Sequence, residues 1–126
     1  MVPSEGDTRT VARTFTADDV SRFAEFSGDD QPRHTEPREN GELMVQGLLT
    51  ATLPTEVGSD DRVLAHTMEV EFSKPVYTNE QIECHVLYES VTEKDNRYDV
   101  TMDITCSNPE NDIVLTGNIN GIIWKK

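Results

Sequence analysis

From residue 64 onward, apolar and polar positions alternate with period two. Leu64, His66, Met68, Val70 and Phe72 share one face, and Ile82, Cys84, Val86 and Tyr88 share the next. Tyr98, Val100, Met102, Ile104 and Cys106 form the cleanest run, and Ile113, Leu115, Gly117, Ile119, Gly121 and Ile123 the last. The breaks at KPVYTN, TEKDN and SNPEND carry turn chemistry. Such alternation predicts four antiparallel strands with one wet face.

The first half reads differently. Arg9 to Thr16 predicts a short strand from its Thr, Val and Phe content. Val20, Phe23, Ala24 and Ser27 then follow the spacing of one buried helical face. Thr16 suits that helix as an N-cap, Asp18 and Asp19 suit its dipole, and Gly28 suits a left-handed C-cap. Residues 28–41, GDDQPRHTEPRENG, are too polar for a core and predict a loop. Loops of that length usually carry function or are disordered. The most apolar stretch is residues 42–57. It predicts a helix from near Val45 whose apolar residues keep to no single stripe, and hence one buried on most sides. Pro54 should kink or end that helix. Residues 1–7 are polar and predict a frayed end.

The element order implies an α+β chain, a single domain over residues 1–126, with an antiparallel β-sheet wrapped around a central apolar α-helix. A lipocalin-like barrel would leave that helix no place to pack. With 126 residues the chain can bury a core without metal or disulfide.

Charge narrows the partners. Lys and Arg total 11 and Asp and Glu total 24, a net charge of −13. That excludes a general basic face for nucleic acid or anionic membrane. No apolar run approaches the ~20 residues of a membrane span, and MVPSEGDTRT carries no secretory pattern; the expected compartment is the cytoplasm. Only four lysines stand against fourteen threonines. This balance favours a protein kept soluble in concentrated salt, where a Debye length of ~3 Å near 1 M screens carboxylate repulsion. Cys84 and Cys106 sit in strand patterns without zinc spacing, so buried free thiols are expected, with no metal and no cofactor. His66 and His85 lie in strands and read as sheet residues.

Candidate chemistry concentrates in Gly28-Asp29-Asp30-Gln31-Pro32-Arg33-His34. If the loop folds back, Asp29 and His34 can meet on one water and share its proton. Gly47, near the start of the apolar helix, allows close approach to unpaired N–H groups suited to a developing oxyanion.

The stretch FTADDVSRFAEFSGDDQPRHTEP resembles the MaoC-like dehydratase, or (R)-specific enoyl-CoA hydratase, family. Val45-Gln46-Gly47-Leu48-Leu49 and Phe72-Ser73-Lys74-Pro75-Val76 look like two further motifs of that family. The resemblance runs from about Thr10 to Trp124, and its N-terminal motif is the specific part. It implies a hot-dog fold, a homodimer, and addition of water to trans-2-enoyl-CoA or the reverse dehydration. By position, Asp29 and His34 match the catalytic pair and Gly47 matches the glycine that polarises the thioester carbonyl. Thr55 falls where members carry a serine near the acyl pocket. Gln31 and Gln46 replace an asparagine and a histidine of the family, on the substrate side of the site. Arg33, Arg38, Lys74 and Arg97 are the candidate contacts for the CoA phosphates. Two alternatives remain open at this point: an acyl-CoA thioesterase on the same fold, and a non-catalytic acyl-CoA-binding subunit.

Overall fold

A computed structural model of the chain describes residues 2–126. The elements are β1 (Thr8–Thr14), α1 (Ala17–Ser27), α2 (Pro32–Thr35), α3 (Gly47–Thr50), α4 (Thr52–Asp60), β2 (Leu64–Phe72), β3 (Gln81–Glu93), β4 (Arg97–Ser107) and β5 (Ile113–Trp124). The five strands form one antiparallel sheet in the order β1-β3-β4-β5-β2. The alternating faces behave as expected on the central strands. Ile82, Cys84, Val86 and Tyr88 of β3 are buried, as are Val100, Met102, Ile104 and Cys106 of β4. On β5, Leu115, Ile119 and Ile123 are buried too. Phe15, Val20 and Leu53 close the core from the other side.

Local chemistry explains α1. Thr16 accepts from the Asp19 amide and Asp19 accepts from the Thr16 amide, a reciprocal capping box. Gly28 ends the helix at φ 80°, a conformation that suits a residue without a Cβ.

Four features depart from the sequence pattern. The apolar helix is broken at Ala51 into α3 and α4 rather than at Pro54. Pro54 is the third residue of α4, where an N–H has no intrahelical partner anyway, so the ring is tolerated. That helix is also not buried all round. Ala51, Leu53, Pro54 and Val57 face the sheet, whereas Leu48 and Thr55 are exposed. α4 packs against both edge strands, β1 and β2, and against β3. The face of β2 expected to be buried is open: Leu64, Met68 and Phe72 are about half exposed, at 59%, 49% and 49%. β2 is an edge strand, and a bulge between Ala65 and Thr67 shifts its register on β5. Finally, residues 2–7, ahead of β1, are tied down instead of frayed, and Met1 lies outside the described residues. Pro3 is buried, the Gly6 N–H donates to the Tyr88 carbonyl at 2.8 Å, and the Tyr88 N–H donates to the Asp7 carbonyl at 2.9 Å.

Cys84 and Cys106 are free, buried and directly opposed across β3 and β4. The Cys106 thiol hydrogen-bonded beside it, together with burial, pushes the Cys84 thiol pKa up, so Cys84 stays protonated and unreactive. No helix among the described residues is long and apolar enough to cross a membrane.

Candidate active site

The long loop after α1 folds back on itself. Its one turn of helix, α2, begins at Pro32, whose fixed φ suits a first helical position. That turn carries His34 inward until only 5% of the residue is exposed. The Met44 N–H donates to the Arg33 carbonyl at 3.1 Å, and the Val45 N–H donates to the Val76 carbonyl at 2.7 Å. The turn is thereby fixed against the chain leading into α3.

His34 Nδ1 lies 2.8 Å from the Met44 carbonyl oxygen. A carbonyl only accepts, so Nδ1 carries the hydrogen and Nε2 of the neutral ring keeps its lone pair. Nε2 faces Asp29 Oδ2 at 3.6 Å. That distance leaves two acceptors side by side, which is an arrangement for a shared donor such as water. The Asp29 carboxylate is itself oriented. Gln31 Nε2 donates to its Oδ1 at 2.9 Å, and the Asp29 amide donates to Ser27 Oγ at 3.0 Å.

Asp29, Gln31, Arg33, His34 and Gly47 line one cavity of about 540 Å³. Its floor is apolar, with Val45, Val76 and Val114; Thr50 also reaches it. Leu48 and Phe72 form part of the exposed rim. Gly47 is the first residue of α3, so its N–H has no partner within the helix. A Cβ at this position would stand 2.9 Å from the Phe72 ring, so the glycine also admits that aromatic.

The structure brings some of the remaining candidates here and not others. Lys74 lines the cavity and pairs with Asp112 at 3.0 Å. Arg33 lines it and makes no ion pair among the described residues. Arg38 lies outside the cavity, 4.1 Å above the Tyr77 ring and 3.9 Å from Glu42. Arg97 is also outside it, bonded to Asp99 at 2.8 Å in a depression with His66 and Asn120. Thr55 is exposed on α4 and donates to the Ala51 carbonyl at 2.9 Å. Position along the chain did not place it, because α4 turns that residue away from the sheet. Gln46 is fully buried behind the loop rather than on the substrate side. The rim residues Leu48 and Phe72 were not singled out as site residues; the Phe72-to-Val76 motif was the available signal. No group of three His, Cys, Asp or Glu among the described residues could hold a metal ion.

No family model matches the chain. No curated protein matches it by sequence. Solved structures do match. An R-hydratase from Pseudomonas aeruginosa, in the unliganded form, superposes with a TM-score of 0.83 at 18% identity, covering 98% of this chain and 83% of that one. An (R)-hydratase from A. caviae involved in PHA biosynthesis gives 0.83 at 19%, covering 98% of both chains. The fold is a hot-dog. A MaoC-like dehydratase from Rhodospirillum rubrum shares this hot-dog fold with a TM-score of 0.79 at 16% identity, covering 98% of this chain and 94% of that one. The α+β class and the antiparallel sheet packed on a helix, expected from the element order, are therefore those of the molecule.

Proposed function

We propose that this hot-dog protein is a MaoC-like (R)-specific enoyl-CoA hydratase, or 3-hydroxyacyl-CoA dehydratase in the reverse direction. One observation carries the reading: Asp29 and His34 stand 3.6 Å apart on a cavity that is also lined by Gly47, whose N–H is unpaired among the described residues. A water donating to both Asp29 Oδ2 and His34 Nε2 is held above the enoyl double bond. As its oxygen bonds to the β-carbon, Asp29 takes one proton. His34 assists return of a proton to the α-carbon, so one water is added in full. The charge that develops on the thioester oxygen meets the Gly47 N–H. Gln31 keeps Asp29 turned toward the histidine. Arg33 and Lys74, at the cavity mouth, are the cations placed to receive CoA phosphates, despite the overall charge of −13.

The test is hydration of crotonyl-CoA, followed by loss of enoyl absorbance in low and in molar salt. Turnover without release of free thiol is expected. Thiol release without loss of the double bond identifies a thioesterase, and neither reaction leaves only an acyl-CoA-binding role; either result ends the proposal. In the same assay R33A should raise KM about 3- to 10-fold with little change in kcat, the signature of lost uniform binding.

The open face of β2 supports a homodimer. Leu64, Met68 and Phe72 of this edge strand, with Leu48 beside the cavity rim, leave an apolar strip on an unpaired edge. A second copy covering it would wall the cavity. Sedimentation should give a mass near 28 kDa, twice the 14.2 kDa of the chain; a monomer at micromolar concentration would rule this out.

A further inference from the structure

Gln46 is 0% exposed and reaches across two elements distant in sequence. Its Nε2 donates to the Val20 carbonyl of α1 at 3.1 Å and to the Asp29 carbonyl at 3.4 Å. Its Oε1 has no hydrogen-bond donor among the described residues. Turning the amide over would place that oxygen against two carbonyl oxygens, so the two donated bonds fix its orientation. An apolar side chain of the same size would fill the space without leaving a buried acceptor unpaired. What the amide supplies, and an apolar residue would not, is a grip on α1 and on the main chain of Asp29.

The same residue is the N-cap of α3. Its carbonyl accepts from the Leu49 and Thr50 amides at 3.0 and 3.1 Å, and Gly47 follows it directly. Gln46 thus joins the loop that carries the acid to the helix start that carries the free N–H. We propose that Gln46 is a positioning residue that sets Asp29 against the Gly47 amide, through its own side-chain amide and without touching substrate. The proposal rests on the hydratase reading of the cavity. Displacing a reacting group by about 1 Å can cost up to 10² in rate, so the loss of this tie should be felt in turnover rather than in binding.

Q46M keeps the volume and removes the donor. Hydrogen exchange across residues 28–31 should quicken about tenfold in Q46M while β4 keeps its protection. With crotonyl-CoA, kcat should fall about tenfold with KM changed less than about twofold. Added to D29N, Q46M should lower the residual rate less than about twofold, because the two act as one unit. Unchanged exchange across 28–31 in folded Q46M overturns the proposal, whatever the activity. If the wild type shows no hydration, the hydratase reading falls, while the exchange measurement still decides whether Gln46 holds the loop. If Q46M does not fold, the wild-type side-chain amide protons decide. Slow exchange, with magnetisation transfer to the Asp29–Asp30 segment, supports the tie, and exchange at the rate of a free amide refutes it.

Discussion

D29N and H34A should each lower kcat for crotonyl-CoA hydration by about 10²- to 10⁴-fold, the range for a positioned acid or base. The two variants fail for different reasons. D29N keeps the shape of the side chain and its bond to Gln31 but replaces the charged acceptor at Oδ2, so water is no longer deprotonated as it attacks. H34A removes the second acceptor and also releases the Met44 carbonyl, which lies 2.8 Å from Nδ1. H34A should therefore melt at a lower temperature than D29N, since His34 is buried and Asp29 is partly open. Their combination should cost little more than the worse single change, as expected of groups that hold one water. Full activity of purified D29N would remove Asp29 from the chemistry and, with it, the hydratase reading.

The strands were legible because a half-buried antiparallel strand imposes period two on its own residues. Tyr98 to Cys106 shows this on β4, whose neighbours β3 and β5 both pair along its length. The same pattern on β2 was misleading about burial. Leu64, Met68 and Phe72 alternate as a core face does, yet their exposure depends on which strand lies at the edge, and strand order is not a local property. Helix α1 was legible at both ends because its caps are local side-chain and glycine chemistry. The break at Ala51 was not, since it follows from seating Pro54 in a first turn. In the site, Asp29 and His34 were found by their shared loop and by a family resemblance. Gln46 was singled out for the wrong side of the site. Its burial depends on α1 packing over it, with Val20 26 positions away in the chain. Thr55 and Arg97 show the converse, because sequence spacing carries no information on which side of a helix or sheet faces a cavity.

G121A should destabilise the protein by about 1–3 kcal/mol, the usual cost of forcing atoms into a filled space. Gly121 is buried on β5, where β2 bulges between Ala65 and Thr67. A Cβ there would stand 2.7 Å from the Leu64 carbonyl oxygen and 3.0 Å from the Ala65 Cα. These are backbone atoms, so relief requires moving the edge strand rather than turning a side chain. Gly117 has the Glu69 carbonyl 3.0 Å from its own would-be Cβ, so two glycines on β5 let β2 lie close. G58A is the matched control. Gly58 lies inside α4, and its added methyl would meet only Val63 Cβ at 3.9 Å. Alanine there should raise stability by about 0.5–1 kcal/mol through helix propensity. Thermal unfolding should therefore move in opposite directions, with Tm falling by roughly 5–15 °C in G121A and rising by a few degrees in G58A. A G121A protein that melts with the wild type would mean that β2 does not approach β5 this closely. The open edge carrying Phe72 to the cavity rim would then be placed differently as well.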